Sequence, residues 1–161
     1  MDILQKSKNN QRIIGLTGGI ASGKTTITNY IRKHKNIPII DADNLSRELM
    51  KPNTYGYKKI LDYFGNKIID DKNNSARAIN RKLLRKIAFK HSESKEWIEK
   101  LLHPLIKEKM IEECCQYKNN QTIVLVIPLL FEAKFEDICT CLLYTSPSPR
   151  DSCASRMPSS A

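Results

Sequence analysis

The sequence lacks an apolar run long enough to cross a membrane, and its first residues lack the apolar core of a signal peptide. The N-terminal stretch is polar and includes Lys6 and Lys8. We therefore expect a cytoplasmic protein without a membrane partner. With 161 residues, of which 40% are hydrophobic and 27% are charged, the chain has the composition of one cored, globular domain.

Cysteine pairs with metal-ligand spacing are also missing. None of the five cysteines takes part in a C-x-x-C pattern, and no histidine lies close to them in the sequence. We assign them neither a metal nor a disulfide. These residues are Cys114, Cys115, Cys139, Cys141 and Cys153.

Acidic residues are few compared with basic ones, 17 against 27, and the formal net charge is +10. Nucleic-acid binding is one explanation for such an excess, and a pocket for several phosphates is another. No aromatic stacking platform accompanies the basic residues, so we expect no nucleic-acid partner. We interpret many of the basic residues as lying on solvated faces of helices.

The sequence does contain a complete phosphate-binding motif. Residues 18 to 25 (GGIASGKT) fit G-x-x-x-x-G-K-[ST] at every fixed position. Residues 12 to 17 (RIIGLT) predict a strand before it, and residues 26 to 35 predict a helix after it. Glycines let the backbone turn tightly, so that N–H groups at the positive end of the helix dipole can bind a polyphosphate. The alternative is a glycine-rich turn before a helix, which the context disfavours.

This motif predicts ATP and Mg²⁺ as ligands. Lys24 would reach the β- and γ-phosphates, and the Thr25 hydroxyl would ligate Mg²⁺. The residues expected to contact the nucleotide are Gly18, Gly19, Ala21, Ser22, Gly23, Lys24, Thr25 and Thr26.

A second predicted strand, residues 36 to 41, ends in Asp41-Ala42-Asp43, directly before another helical pattern. Carboxylates at the carboxyl end of a strand lie where ligands bind in open α/β sheets. If this strand neighbours the first one, both acids face the phosphate loop. The alternative is that one aspartate caps the helix. We expect both: one carboxylate caps or binds the metal while the other takes part in chemistry.

Helical patterns fill the middle of the chain. They cover residues 54 to 64, residues 81 to 90 with Asn80 as N-cap, and a long amphipathic stretch from Ser92, in which Pro104 predicts a kink or break. Residues 122 to 127 (TIVLVI) are typical of a parallel strand buried on both faces. The order predicts an α/β protein with a parallel sheet like that of P-loop NTPases and an inserted helical region at about residues 53 to 118, which would bind substrate.

Together these segments resemble dephospho-coenzyme A kinases. The resemblance rests on residues 17 to 25, on residues 40 to 43 (IDAD), on Arg47, on residues 102 to 104 (LHP), and on residues 128 to 132 (PLLFE). The phosphate loop alone is shared by many unrelated proteins. The other segments, in this order and at these separations, are more specific.

The resemblance implies ATP-dependent phosphorylation of the ribose 3′-hydroxyl of dephospho-CoA, the last step of coenzyme A synthesis. It implies that Asp43 is the base that accepts the hydroxyl proton, with Lys24 as its catalytic partner, and that Asp41 lies near the metal. Ala21 and Thr25 depart from the Gly and Ser usual in the family. The residues implied on the dephospho-CoA side are Arg47, Arg81, His103, Leu130 and Glu132.

The resemblance ends near residue 137, and the last 21 residues are unlike the family. The stretch CLLYTSPSPRD, residues 141 to 151, and the tail to Ala161 resemble a translated sequencing adapter rather than a natural linker. We therefore expect residues 1 to 140 to be an incomplete kinase domain, 141 to 161 to be an artefactual or disordered tail, and the C-terminal strand and lid to be missing. Such a chain would be weakly active, because a missing lid arginine can cost about 10³-fold in rate. It would also be poorly soluble, because the loss of a strand exposes a sheet edge and apolar surface.

Other functions remain as alternatives. Another P-loop small-molecule or nucleotide kinase, or a non-catalytic ATP-binding fragment, would share the phosphate loop. A regulatory GTPase is disfavoured, because residues 66 to 70 (NKIID) miss the N-K-x-D pattern. A nucleic-acid motor is disfavoured because the strand at residues 122 to 127 ends in Pro128 rather than an acid. We expect a monomer or weak oligomer with small-molecule substrates.

Overall fold

The computed structural model describes residues 11–19, 22–69, 77–117, 122–128, 130 and 133–145. The chain forms two compact units. The first, here the sheet unit, comprises Met1–Asp41 and Glu113–Ala161, and the second, here the helical unit, comprises Ala42–Glu112. None of the helices in the described part of the chain could span a lipid bilayer.

Strands and helices alternate at first, and a run of helices then separates the second and third strands. The elements are β1 (Arg12–Gly18), α1 (Lys24–His34), β2 (Ile39–Asp41), α2 (Ala42–Leu49), α3 (Tyr55–Phe64), α4 (Arg81–Lys90), α5 (Ser92–Gln116), β3 (Thr122–Val126) and β4 (Cys141–Thr145). The α/β class predicted from the sequence is confirmed.

The four described strands form one parallel sheet in the order β2-β3-β1-β4. Leu16 of β1 is in register with Val126 of β3, which is in register with Asp41 of β2. The carboxyl ends of these three strands therefore lie at one edge of the sheet. From β1 the chain continues to β2 on one side of β1, and from β3 it continues to β4 on the other side of β1. Open α/β sheets bind ligands where the direction of the connections reverses in this way.

The two strands expected to carry the site are not neighbours. The sequence analysis placed both aspartates facing the phosphate loop on the condition that β1 and β2 are adjacent, but β3 lies between them. Adjacent strands are about 4.8 Å apart, so two spacings put Asp41 about 10 Å across the sheet from Leu16. The most apolar strand occupies the centre, where both faces are covered.

The core of the sheet unit is built around β3, whose residues 123 to 126 are all buried. Leu16, Val124 and Val126 form one cluster, against which the helix residues Ile27 and Ile31 pack. The continuous apolar character of the β3 sequence is therefore explained by cover on both faces.

Leu125→Ala is expected to lower the free energy of unfolding by about 2–5 kcal/mol, because Leu125 is completely buried and its truncation leaves a cavity. Leu142→Ala is the matched control, since Leu142 lies in the same sheet and is 40% exposed. Urea denaturation of the three proteins measures the difference. Equal losses in the two variants would contradict this account of the core.

The prediction that the C-terminal strand is missing is wrong. Residues 141 to 145 form β4, which pairs with β1 in parallel. Before it, Thr140 donates its main-chain N–H to the Ile13 carbonyl at 2.8 Å, and its hydroxyl accepts from the Ile13 N–H at 2.9 Å. The sequence CLLYT favours a strand by composition, and the open edge of β1 offers it main-chain partners. The rest of the expected tail, and any lid, fall outside the described residues.

Two of the helical unit's helices begin at side-chain caps. The Thr54 side chain accepts the N–H of Tyr57 at the start of α3, and Asn80 accepts the N–H of Leu83 at the start of α4. The predicted boundaries of α4 and its cap are confirmed. Both helices therefore start where their sequences supply an acceptor for an otherwise unsatisfied N–H.

Helix α5 runs unbroken through Pro104, where the sequence predicted a kink or a break. Proline removes one main-chain donor, but Leu102 and Ile106 on either side of it are buried in the helical unit. Packing of these side chains holds the two halves of the helix together.

An aromatic cluster joins α3 to α5. The rings of Tyr63 and Trp97 are stacked, with their centroids 4.1 Å apart, and Phe64 meets Trp97 edge to face at 5.9 Å. Such pairs contribute about 0.5–1.5 kcal/mol beyond the burial of their area.

The thiols of the sheet unit fall into two groups. Burial raises the pKa of Cys114 to about 12 and that of Cys139 to about 11, with smaller contributions from neighbouring acidic groups. Cys115 and Cys141 are exposed, and all four thiols are free. Cys153 lies outside the described residues.

We expect iodoacetamide at pH 8 to label Cys115 and Cys141 much faster than Cys114 and Cys139, because the thiolate is the reactive form. The raised pKa values also predict a pH dependence. Unfolded thiols ionise at about pH 8.5, so the contribution of the buried thiols to the free energy of unfolding is fully present below that pH. It declines as the pH rises towards 11. Peptide mass spectrometry of timed labelling, with urea-unfolded protein as control, measures the rates, and uniform labelling of the native chain would contradict the prediction.

Candidate active site

The predicted phosphate loop lies at the carboxyl end of β1, between Gly18 and the first residue of α1, Lys24. Gly23 occupies the position before the helix with a left-handed φ of 88°, which favours glycine. No acidic residue stands in the first turn of α1. Because the first N–H groups of a helix have no partner within the helix, this turn and the positive end of the helix dipole can bind an anion.

Gly18 is held close to the end of β4. Its φ of +142° disfavours any side chain, and an added Cβ would collide with the main-chain oxygen of Thr145. The Thr145 hydroxyl donates to the Thr17 carbonyl at 3.1 Å and pairs with the Ser22 hydroxyl at 2.8 Å. The loop is thus attached to β4 on one side and to α1 on the other.

The Lys24 side chain folds back over the loop. Its ammonium donates to the carbonyls of Gly18 and Gly19, each at 2.6 Å, and to the Ser22 hydroxyl at 3.3 Å. All three acceptors belong to described residues of the loop, so the positive charge lies directly against the loop. Short hydrogen bonds from an ammonium to neutral carbonyls are charge-assisted, and phosphate oxygens are stronger acceptors that can replace them.

The remaining nucleotide-side residues follow the loop into the helix. Thr25 and Thr26 are exposed in the first turn of α1. Gly19 and Ser22 are described, whereas Ala21 lies outside the described residues. The structure therefore brings together Gly18, Gly19, Ser22, Gly23, Lys24, Thr25 and Thr26 on one loop and helix turn.

The two aspartates occupy different elements. Asp41 is half-buried at the last position of β2, and Asp43 is exposed in the first turn of α2, which begins at Ala42. A carboxylate in the first turn is stabilised by the helix dipole. Asp41 belongs to the sheet unit and shares the carboxyl edge with β1, whereas Asp43 belongs to the helical unit.

Three residues predicted on the substrate side lie in the helical unit. Arg47 is exposed in the last turn of α2, Arg81 is exposed at the first position of α4, and His103 is half-buried within α5.

Two further predicted residues follow β3. The Leu130 side chain is fully buried against Gly15 of β1, so it contributes packing, and its carbonyl accepts the N–H of Phe135 at 3.0 Å. Glu132 lies outside the described residues.

The sequence analysis missed the threonines around the loop. Thr17 is buried at the end of β1, and its hydroxyl donates to the Pro128 carbonyl at 3.3 Å. Thr145 bonds both Thr17 and Ser22. A threonine directly before the loop was visible in the sequence, but its partner was not, since the strand order decides which segment lies beside it.

A parallel sheet with this glycine loop between its first strand and the following helix defines the class of P-loop nucleotide-binding proteins. Within that class, comparison with known proteins is specific. A family model described as "Dephospho-CoA kinase" matches residues 12–157. The chain therefore belongs to the dephospho-CoA kinase family, a family of transferases, and ATP-dependent phosphorylation of dephospho-CoA in coenzyme A biosynthesis is the function that this membership assigns to it.

Individual relatives agree. The chain is 89% identical over 140 residues to the dephospho-CoA kinase of Prochlorococcus marinus strain MIT 9312, covering 87% of this chain and 68% of that protein. It is 42% identical over 137 residues to that of Vibrio parahaemolyticus, covering 85% and 65%. The chain thus spans about two thirds of the length of its curated relatives.

Solved structures share the fold. Dephospho-CoA kinase from Campylobacter jejuni matches with a TM-score of 0.63 at 24% identity, over 87% of this chain and 69% of that one. A Thermus thermophilus protein, TT1252, matches with a TM-score of 0.70 at 25% identity, over 86% and 66%.

Proposed function

We propose that this chain transfers the γ-phosphoryl group of ATP to the ribose 3′-hydroxyl of dephospho-CoA, with Asp43 as the base. The observation that supports this most directly is the Lys24 ammonium, which lies over the phosphate loop at 2.6 Å from two of its carbonyls. A positive charge beside the first N–H groups of a helix stabilises charge on a transferring phosphoryl group.

Different residues of the chain bind the phosphoryl donor, ATP, and activate the acceptor hydroxyl. The loop N–H groups hold the β-phosphate, and Lys24 leaves its carbonyl partners for the β- and γ-oxygens. The acceptor hydroxyl is a poor nucleophile, so the Asp43 carboxylate orients it and takes its proton as the new bond to phosphorus forms. The proton ends on a carboxylate oxygen, and ADP carries away the negative charge of the broken bond.

The oxygen atoms of Thr25 and Asp41 are suitable ligands for Mg²⁺. This ion prefers oxygen ligands and is bound by one or two protein groups together with substrate phosphates. The exposed Thr25 hydroxyl and the half-buried Asp41 carboxylate are such groups, and they lie in the same unit. Mg²⁺ bound there would neutralise charge on the phosphates, with Thr25 as ligand and Asp41 as a direct or water-mediated one.

On the acceptor side, Arg47, Arg81 and His103 supply positive or hydrogen-bonding groups for an anionic substrate. Glu132 would bind a substrate hydroxyl or amide. Leu130, whose side chain is buried, is proposed to contribute by packing rather than by contact with the substrate. We further propose that the protein acts in the cytoplasm as a monomer or weak oligomer.

The test is transfer of ³²P from [γ-³²P]ATP to dephospho-CoA, with nucleoside monophosphates and shikimate as competing acceptors. The label makes slow transfer measurable. We expect product only with dephospho-CoA, with the phosphate on the 3′-oxygen and with complete loss of transfer after EDTA. Labelling of another acceptor would favour a different P-loop kinase, and ATP binding without transfer to any acceptor would favour a non-catalytic fragment.

A further inference from the structure

We propose that one side of α4 docks on an anionic membrane surface, with the Phe89 side chain entering the lipid. The exposed residues that form this side, here called the basic face, are Lys82, Arg85, Lys86, Phe89 and Lys90. The inference is independent of the proposed phosphoryl transfer. It departs from the expectation of no membrane partner, which rested on the lack of a spanning segment, because docking on a membrane surface requires no span.

Basic charge is concentrated in and around α4. Residues 72 to 92 contain seven lysines and arginines and no aspartate or glutamate, so they account for most of the formal net charge of +10. Five of these seven basic residues lie within the ten residues of α4. The helix therefore carries positive charge with no negative charge along its own length.

Helical spacing divides α4 into a packed side and an exposed side. The residues of the packed side, which are buried or half-buried, are Leu83, Leu84 and Ile87. Phe89 follows Arg85 by four residues and Lys86 by three, so these side chains are neighbours on the helix surface. Phe89 is 79% exposed, the largest fraction among the large hydrophobic side chains that the structure describes. The phenyl ring therefore lies in solvent among basic side chains.

The simpler explanation is an ordinary solvated helix face, which typically carries both signs of charge. Helix α5 of the same unit shows that pattern, because three of its lysines pair with glutamates one helical turn away, at 2.7 to 3.7 Å. None of the ion pairs within the described part of the chain includes a cation of α4. Solvation also gives no reason for a phenyl ring at the centre of the exposed side.

Lipid headgroups fit the basic face better than a nucleic acid does. Four to eight basic residues on an amphipathic helix are typical of proteins that bind anionic lipids. Single-stranded nucleic acid is bound in grooves where several aromatic side chains stack on successive bases, but Phe89 is the only aromatic residue of α4. A convex helix side with one phenyl ring is suited to a bilayer surface, into which the ring can insert.

The test is co-sedimentation of the full chain with vesicles of phosphatidylcholine, either alone or mixed in equal amounts with phosphatidylglycerol. We expect binding to the anionic vesicles only, and weaker binding as salt is added. The combined substitutions Lys82→Gln, Arg85→Gln and Lys86→Gln are expected to weaken binding about 100-fold, because each cation contributes about fivefold. Phe89→Ala is expected to weaken it about tenfold, because burial of the phenyl ring in lipid is lost.

The matched control carries the same change in net charge on α5 of the same unit. Its substitutions are Lys95→Gln, Lys100→Gln and Lys109→Gln. We expect its affinity for anionic vesicles to stay within about threefold of the original, because charges away from the contact surface are screened. The replaced residues of the basic face are exposed, and glutamine and alanine favour helices, so circular dichroism and thermal unfolding should match the original chain. Arg81 is kept in every variant, because it is proposed on the acceptor side.

Failure of the original chain to bind the anionic vesicles would overturn the inference. Equal losses in the basic-face variant and the α5 control would also overturn it, because net charge alone would then explain adsorption. Tighter binding of single-stranded RNA than of the vesicles would make the basic face a nucleic-acid site instead. An equally large loss of affinity for dephospho-CoA would place its cations on the acceptor side, again against the inference.

The two proposals can fail separately. Phosphoryl transfer without vesicles is expected to be the same in the basic-face variant and the original chain. An original chain that bound anionic vesicles through the basic face but did not phosphorylate dephospho-CoA would contradict the proposed function and still support membrane docking.

Discussion

Asp43→Asn is expected to lower the rate of phosphoryl transfer to dephospho-CoA by about 10²–10⁴-fold, the range contributed by a general base. The amide has nearly the shape of the carboxylate but cannot take the hydroxyl proton. Asp43 lies exposed in the first turn of α2, so the substitution leaves the core untouched. The Kd values for ATP and dephospho-CoA are expected to stay within about threefold, which separates a loss of chemistry from a loss of binding.

The matched control is Asp62→Asn, which removes a carboxylate from the exposed face of α3 in the same unit. Its transfer rate is expected to equal that of the original chain. Both rates are followed with [γ-³²P]ATP. If Asp43→Asn retained more than about a third of the original rate, the proton would have to leave by another route, and the role of base would pass to Asp41 or to solvent.

Lys24→Met is expected to raise the Kd for ATP about 10- to 100-fold, the equivalent of one charge-assisted hydrogen bond of about 1.5–3 kcal/mol. Methionine keeps the length and apolar stem of lysine but has no donor. In the free protein the variant also loses the bonds to the Gly18 and Gly19 carbonyls. The loop should then become more mobile, and ordering it on binding adds to the loss of affinity.

Lys33→Met serves as the control for net charge, because Lys33 is exposed in the last turn of the same helix. Calorimetric titration of ATP into both variants measures the difference. Equal Kd values for the two would mean that Lys24 acts only through long-range electrostatics, which is contrary to its position over the loop.

Local features were predictable where a short motif contains all the residues that its structure requires. Residues 18 to 25 specify a phosphate loop through fixed glycine, lysine and threonine positions, and the structure places it between β1 and α1 as expected. Asn80 predicts the start of α4 for a similar reason, since a capping side chain accepts a hydrogen bond from a main-chain N–H only a few residues away. Both signals act within a few residues and depend little on the rest of the fold.

Long-range features were not predictable from these signals. The position of β3 between β1 and β2 depends on how whole elements pack, and alternation of strands and helices does not state the strand order. The same holds for β4, whose residues were interpreted as part of a tail although the edge of β1 pairs with them. The bond between Thr17 and Pro128 follows from that packing, so neither residue indicated its partner.

The aromatic cluster gives the molecule an internal optical reporter. Trp97 is the single tryptophan of the sequence, and it stacks on Tyr63 within the helical unit. Tryptophan emission is therefore sensitive to the packing of α3 on α5 and carries no signal from a second indole in the sheet unit. Unfolding curves by emission and by far-ultraviolet circular dichroism coincide only if the two units melt in one cooperative step. The placement of one indole thus makes the cooperativity between the units directly measurable.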